Sequence, residues 1–204
     1  MSGSPPMSKD DDAKRVSRRQ LLTFWRRPLD EALAAHRPPP APPMPPPVTR
    51  APPLRPPGML HELLLQKHCI RCGKCVEVCP ANAIFPLGPE WGASAAGTPA
   101  IEARKQPCVL CTGLKCTHVC PSGALLPTFM PHDVTMGKAI LDTGRCVTWH
   151  GTACTVCKEQ CPQTALDLDE HGRMCVIEDK CVGCGMCERA CPTEPASIRV
   201  RPRG

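Results

Sequence analysis

Sixteen of the seventeen cysteines of this 204-residue chain lie in four short clusters, and each cluster ends on Cys-Pro. We call the clusters units one to four. They read CIRCGKCVEVCP at 69–80, CVLCTGLKCTHVCP at 108–121, CVTWHGTACTVCKEQCP at 146–162 and CVGCGMCERACP at 181–192. Units one and four share the spacing C-x2-C-x2-C-x3-C-P, unit two has a longer second gap, and unit three has a longer first gap. This repetition predicts four copies of one thiol-based site.

Thiols this close together could form disulfides, bind zinc or hold an iron–sulfur cluster. A disulfide scaffold normally has an even cysteine count and an export signal, and the chain shows neither clearly. Zinc usually binds two C-x2-C pairs that are separated by a longer loop. Covalent haem needs C-x2-C-H, which no unit contains. The spacing of units one and four is instead that of bacterial [4Fe-4S] ferredoxins. We therefore predict four [4Fe-4S] clusters as cofactors.

In this spacing, three cysteines of a unit face one cluster, and the fourth reaches the neighbouring cluster. The predicted iron ligands are all the cysteines of the four units: Cys69, Cys72, Cys75, Cys79, Cys108, Cys111, Cys116, Cys120, Cys146, Cys154, Cys157, Cys161, Cys181, Cys184, Cys187 and Cys191. No catalytic residue is predicted.

Two pairings of the units are open. Sequential pairing joins units one with two and three with four, so that Cys120 completes the site of Cys69, Cys72 and Cys75. Nested pairing joins units one with four and two with three, and would bring Cys191 to that place instead. We favour sequential pairing because a short hairpin joins units three and four, and consecutive elements are usually neighbours.

The segments between the units have the character of short hairpins. ALDLDEHGRMCVIEDK, after unit three, is predicted to form a strand, a His171-Gly172 turn and a second strand, and we expect the same less clearly of 83–105 and of 125–143. We also expect a helical turn starting at each Cys-Pro. With no tyrosine and three phenylalanines, a large apolar core is excluded. The predicted fold class is α+β, with two tandem bacterial-type 2[4Fe-4S] ferredoxin modules at 58–130 and 131–204.

Residues 1–57 are predicted to be a disordered basic and Pro-rich tail. Segment 38–57 is mostly proline and favours an extended polyproline II linker. Ahead of it, SRRQLL at 17–22 opens like a twin-arginine export signal, but Arg26 and Arg27 interrupt the apolar run. The alternatives are a basic amphipathic helix that docks on a partner or membrane surface, or a frayed tail. We therefore expect a cytoplasmic protein, with association with a membrane as one option and twin-arginine export to the periplasm as the alternative.

The order of the four units, the CPSGAL end of unit two, the long first gap of unit three and the entry LRPPGMLHELLLQKHCIRCGKC resemble the NapG/MauM-type polyferredoxins. The resemblance covers Leu54 to Pro202. It implies an accessory electron carrier, such as those of periplasmic nitrate reduction and methylamine utilisation. The N-terminal SRRQLLTFWRR also resembles cytoplasmic NapF-type ferredoxins, which implies the alternative of a maturation factor for a metalloenzyme such as a molybdenum-dependent nitrate reductase.

The predicted function is the transfer of single electrons between a membrane quinol-oxidising or other low-potential donor and a partner oxidoreductase. No G-x-G-x-x-G loop or C-x3-C-x2-C signature is present, so we predict an electron carrier rather than an enzyme. The formal net charge of +6 falls to about −2 when each cluster with its four thiolates carries two negative charges. We expect redox proteins as partners, with membrane contact through the basic tail as an alternative. We expect no nucleic-acid partner, because the folded part has no basic stripe with interleaved aromatic residues.

Several residues near the units have open roles. Cys175 lies outside every unit and reads as a small buried strand residue, with a ligand or redox role as the alternative. Trp149 is either a shield for the unit-three cluster or an exposed loop residue, and His150 is expected to be solvated. Lys74, Lys115 and Lys158 either stabilise reduced clusters or are solvated charges.

Overall fold

The computed structural model describes residues 52–59 and 61–203. Most of the predicted tail lies outside these residues, including the twin-arginine-like motif. Helix α1 spans Glu62–His68 and precedes unit one. In the described part of the chain, no helix is long and apolar enough to cross a membrane.

Each unit carries one short helix that contains its third cysteine and ends before its fourth. These helices are α2 (Lys74–Glu77), α3 (Lys115–His118), α4 (Val156–Glu159) and α5 (Met186–Ala190). The expectation of a helical turn starting at each Cys-Pro is therefore wrong, because the turn comes before it. A proline disfavours helical geometry in the residue before it, so each Cys-Pro ends a helix.

Two of the predicted hairpins are present. Strand β1 (Ile84–Pro86) pairs with β2 (Pro99–Ile101), and β4 (Leu166–Leu168) pairs with β5 (Met174–Val176); both pairs are antiparallel. In the second hairpin, Gly172 adopts a φ of 73°, which the predicted turn requires. The hairpin between β1 and β2 has a wider connection, which contains a 3-10 turn at Pro89–Trp91.

The third expected β segment has a distant partner. Strand β3 (Gly137–Leu141) lies within the stretch 125–143, but it pairs with β6 (Ile198–Pro202) near the end of the chain. The two strands run antiparallel, with Gly137 opposite Pro202 and Leu141 opposite Ile198. Units three and four and the β4–β5 hairpin therefore lie between two paired strands. The expectation of a local hairpin after unit two is wrong, since the second strand is supplied from far along the chain.

The start of the described chain belongs to the fold. Leu54 forms a β-bridge with Ile101, and Met59 forms one with Leu125. Arg55 is 1% exposed, and its guanidinium donates hydrogen bonds to the Thr98 hydroxyl and the Pro99 carbonyl. The predicted tail boundary at residue 57 is therefore too late, because residues 54–57 pack against the β1–β2 hairpin. Arg55 lies in a proline-rich stretch, which is typical of a linker, and its hydrogen-bond partners Thr98 and Pro99 are more than forty residues away.

The two halves of the folded region share apolar contacts. One core cluster joins Leu54, Ile84 and Ile101 from the first half with Met136 and Val182 from the second. A second cluster, within the second half, surrounds the thiols of units three and four. The described residues of both halves fall within one compact unit. The division at residues 130 and 131 into independent modules remains a prediction.

Candidate cluster-binding sites

Four cavities are each lined by four cysteines, three from one unit and the fourth from the neighbouring unit. We call them sites one to four, after the unit that supplies three thiols. Their cysteines are, in order, Cys69, Cys72, Cys75 and Cys120; Cys108, Cys111, Cys116 and Cys79; Cys146, Cys154, Cys157 and Cys191; Cys181, Cys184, Cys187 and Cys161. The thiols are thus grouped as sequential pairing predicts: Cys120, not Cys191, completes the first site.

Residues in the left-handed backbone conformation allow the cysteine loops to turn tightly around the cavities. Within the first gap of units one, two and four, Arg71, Leu110 and Gly183 have φ values of 57°, 48° and 75°. A side chain costs energy in this region, and Arg71 is held there by donating from Nε to the Ala96 carbonyl at 2.8 Å. Unit three differs from the others: its seven-residue first gap contains the 3-10 turn Val147–His150.

The fourth cysteine of each unit accepts a backbone hydrogen bond from the chain that follows its proline. The donors are Ala83 for Cys79 at 3.3 Å, Leu125 for Cys120 at 3.4 Å, Ala165 for Cys161 at 3.3 Å and Ser197 for Cys191 at 3.4 Å. The Cys-Pro turn therefore directs each sulfur away from its own loop and supplies it with a donor. Such donors stabilise a thiolate.

Hydroxyl groups provide further hydrogen bonds to sulfur, most of them at site three. The Thr148 hydroxyl lies 3.2 Å from the Cys146 sulfur, and it accepts a hydrogen bond from the Met174 N–H at 2.9 Å. The hydroxyls of Thr193 and Ser197 both lie 3.2 Å from the Cys191 sulfur. No role for the Thr148, Thr193 and Ser197 hydroxyls was predicted from the sequence. A usable signal existed, since Thr148 and Thr193 each follow a unit cysteine by two positions.

Most of the thiols whose pKa values shift resist ionisation. Burial, and then the neighbouring thiols, raise the pKa of Cys75 and Cys157 to about 11 and that of Cys116 to about 12. Four thiols around one cavity therefore cannot all become thiolates without a positively charged partner. The iron core of a [4Fe-4S] cluster is such a partner, and four thiolates are the ligands it takes. The donor set of each site fits this cofactor.

Cys191 behaves differently from the other buried thiols. Burial opposes its ionisation, but hydrogen bonds from Ser197 and Thr193 outweigh burial and lower its pKa to about 7. Cys120 in site one has a lowered pKa for a similar reason, since the Leu125 N–H and Ser122 overcome the effect of burial. At these two sulfurs, the local hydrogen bonds favour the thiolate form.

The sites differ in solvent exposure. Site one is the most open, with Cys72 exposed and its three other thiols half-buried. In site four, Cys181, Cys184 and Cys187 are all buried, and only Cys161 is half-buried. In the described part of the chain, no three His, Cys, Asp or Glu side chains surround a point where a single metal ion could bind. The unit cysteines instead line the cavities of sites one to four, each of which is wider than a single-ion site.

Comparison with known proteins identifies the family. A 4Fe-4S dicluster domain matches residues 68–124 and 151–194, and the second match begins after Cys146. The ferredoxin-type protein NapG of Escherichia coli (strain K12) is 39% identical over 163 residues, covering 73% of this chain and 70% of NapG. The methylamine utilization ferredoxin-type protein MauM of Methylobacillus flagellatus is 39% identical over 168 residues, covering 77% and 71%. This chain belongs to the NapG/MauM family of ferredoxin-type proteins.

The family resemblance inferred from the unit spacing is thereby confirmed. The chain is also 29% identical over 150 residues to the ferredoxin-type protein NapF of Haemophilus influenzae, which covers 71% of this chain and 78% of NapF. Membership of the NapG/MauM family makes the chain a ferredoxin-type iron–sulfur electron-transfer protein.

The remaining residues with open roles are now placed. Cys175 lies on β5 outside all four cavities, and it is half-buried rather than buried as expected. Trp149 packs against the core around site three, and its indole N–H donates to the Met174 carbonyl at 3.1 Å. His150 is exposed and lies 3.0 Å from the Gly144 carbonyl. Lys158 forms a salt bridge with Asp167 at 2.6 Å, while Lys74 and Lys115 are exposed.

Proposed function

We propose that this NapG/MauM-family protein holds four [4Fe-4S] clusters on its sixteen unit cysteines. The proposal rests on the grouping of these cysteines into four cavities. Each cavity is lined by four thiols, which is the number of thiolate ligands that one cluster takes. Cys146 is included on the same grounds, although the family match begins after it.

We further propose that the protein passes single electrons between a membrane quinol-oxidising or other low-potential donor and a partner oxidoreductase, and is not itself an enzyme. A bound [4Fe-4S] cluster supplies one-electron chemistry. The chain's own residues hold the sulfurs and exclude water, as the burial of sites three and four illustrates. Hydrogen bonds from Thr148, Thr193 and Ser197 to sulfur favour the more negative reduced state.

Metal analysis tests this proposal. Protein purified without oxygen is expected to contain about sixteen iron and sixteen sulfide per chain, with little zinc. Cys146→Ala, in site three, should lower both numbers by about four. Cys175→Ala is the matched control, because Cys175 lies outside the four cavities, and it should leave both numbers unchanged. Zinc in stoichiometric amount with almost no iron would refute the proposal.

For the cellular location we propose the cytoplasm, with contact to a membrane or a membrane subunit through the basic segment ahead of residue 52. Export through the twin-arginine-like motif is the competing possibility. The motif and the basic residues around it support a polar, positively charged contact with anionic lipid. A fusion to a reporter that is active only after export separates the two, and an active reporter that requires Arg18 and Arg19 would refute a cytoplasmic location.

A further inference from the structure

The two halves of the molecule meet through the loops of sites two and four. The Cys108 N–H donates a hydrogen bond to the Cys184 carbonyl at 3.0 Å, so a ligand-type cysteine of one half directly contacts one of the other. Every residue from Cys181 to Gly185 is buried. Gly185 has a φ of 90°, and a Cβ placed there would lie 2.5 Å from the Ala103 Cβ. The halves are therefore in contact at a position where no side chain fits on residue 185.

Arg104 holds this contact together. It belongs to the first half, just before unit two, and its guanidinium reaches the end of α5 in the second half. It donates to the carbonyls of Glu188 at 2.7 Å and Cys191 at 2.8 Å, and it forms a salt bridge with Glu194 at 2.7 Å. Such a fork of donors onto backbone carbonyls sets both distance and orientation between the two halves.

A second polar contact lies beside the first. The Arg189 guanidinium donates to the Gln106 side-chain carbonyl at 3.0 Å, and the Gln106 amide in turn donates to the Ala81 carbonyl at 2.8 Å. Ala81 follows the Cys-Pro of unit one, whose Cys79 lines site two. The contact between the halves thus includes two segments of site two: the turn that follows Cys79 and the stretch just before Cys108.

Within each half, the two sites are also adjacent. Helices α2 and α3 pack together in the first half, and helices α4 and α5 pack together in the second. These helices carry the third cysteines of their units. Cys75 packs against the core cluster that contains Cys116, and Cys157 and Cys187 lie in one other cluster. Sites one and two are therefore neighbours, as are sites three and four.

We propose that residues Ala103, Arg104, Gln106 and Cys108 and loop Cys181–Gly185 form the electron-transfer junction of the molecule, so that its sites are connected in the order one, two, four, three. This inference rests on the proposed function. One electron enters at an outer site from a one-electron reductant, which is oxidised, and leaves at the other outer site to a one-electron acceptor, which is reduced. The outer sites are one and three, although unit four is the last unit in the sequence. Arg104 is a positioning residue in this junction.

Electron paramagnetic resonance of anaerobic, dithionite-reduced protein tests the order. Cys72→Ala with Cys154→Ala removes one thiol from each outer site and leaves sites two and four complete. Cys111→Ala with Cys161→Ala does the reverse and leaves sites one and three. We expect magnetic interaction between the two remaining clusters in the first variant and two independent signals in the second. Interaction in the second variant and none in the first would overturn the proposed order.

The full chain provides a second test that removes no cysteine. Arg104→Ala should keep the iron content and weaken the magnetic interaction between the halves, which narrows the spectrum of the fully reduced protein. Lys105→Ala is the matched control, because Lys105 is the exposed next residue and pairs with Glu102 within the same half. An unchanged spectrum in Arg104→Ala would refute its positioning role. Wild-type protein without iron would refute the proposed function instead, so the two failures are distinguishable.

Discussion

At the scale of single residues, the hydroxyl groups beside the cysteine sulfurs separate site three from the others. Three hydroxyls lie 3.2 Å from sulfurs of this site, whereas at site one the Ser122 hydroxyl is 3.6 Å from Cys120. Reduction adds negative charge to a cluster and its thiolates, so a donor at sulfur stabilises the reduced form more than the oxidised form. Site three is therefore the site at which side chains of this protein can most directly adjust a potential.

Ser197→Ala should lower the potential of site three. The change removes one hydroxyl donor to Cys191 and keeps the backbone donor of residue 197. A net hydrogen-bond contribution of about 0.5–1.5 kcal/mol corresponds to roughly 20–60 mV for one electron. A redox titration followed by paramagnetic resonance measures the shift. Thr155→Ala is the control, since the Thr155 hydroxyl donates to Glu159 and not to sulfur. Equal potentials in wild type and Ser197→Ala would contradict the role assigned to the hydroxyl.

Assembly of the clusters should depend on pH. Thiols are protonated at neutral pH in an unfolded iron-free chain, where their pKa is about 8.5. In the folded arrangement, burial raises the pKa of Cys75, Cys116 and Cys157 further, to about 11 or 12. Iron binds thiolates, and cluster insertion must therefore release protons and become more favourable as pH rises. In chelator competition, the apparent iron affinity should increase between about pH 6.5 and 8.5. An affinity that does not change over this range would show that the thiols are already ionised before iron binds.

At the scale of elements, the segment before helix α1 stabilises site one. Arg55 is buried and forms an ion pair with Glu62 in the first turn of α1. Burial alone would raise the pKa of Glu62, but hydrogen bonds from Arg55 and Gln66 and the positive charge of Arg55 lower it overall. The ion pair is therefore formed at neutral pH and is lost only as the pH falls through this lowered pKa. Leu65 of α1 packs near Cys69, Cys75 and Cys120, so the segment supports the wall of site one.

Two deletions that differ by six residues test this boundary. Removal of residues 1–51 should leave the iron content and the melting temperature unchanged, because it keeps Leu54 and Arg55. Removal of residues 1–57 also deletes the buried partner of Glu62, and loss of a partner from such an ion pair costs about 3 kcal/mol. The longer deletion should lower the melting temperature and reduce the iron content by up to about four per chain. Equal behaviour of the two proteins would place residues 52–57 in the tail after all.

At the scale of the whole molecule, the thiol sites take the place of a large apolar core. The buried hydrophobic set in the described residues consists of aliphatic side chains, methionines and unit cysteines, and it includes no phenylalanine, tyrosine or tryptophan. Strands of three to five residues add little stability by themselves. The fold must therefore draw much of its stability from whatever links the four thiols of each site.

Removal of iron should unfold the protein. Because each site joins segments that are distant in sequence, metal binding and folding are coupled. Treatment with a chelator and an oxidant, followed by removal of both and reduction of the thiols, should abolish the cooperative thermal transition and open the backbone amides of β3 and β6 to hydrogen exchange. Reconstitution with iron and sulfide should restore both. An iron-free protein that keeps a cooperative transition would show that the small apolar clusters suffice.

The thiol sites could be read from the sequence because their chemistry is local. Three ligand-type cysteines lie within seven to twelve residues, and the turn at Cys-Pro follows from the geometry of proline. The β1–β2 and β4–β5 hairpins were also predictable, since each is formed by consecutive segments with turn residues between them. The hydroxyls of Thr148 and Thr193 had a local signal as well, two positions after a cysteine.

Tertiary structure alone decided the features that depend on distant contacts. The pairing of β3 with β6, about sixty residues further along the chain, has no signature in either strand, because backbone hydrogen bonds are the same for any partner. The burial of Arg55 depends on Thr98 and Pro99, and a proline-rich neighbourhood conceals it. The contact of Cys108 with Cys184 joins sites two and four only because Gly185 and Arg104 allow the two halves to approach. Local sequence determined what each site is made of, and long-range packing determined which sites are neighbours.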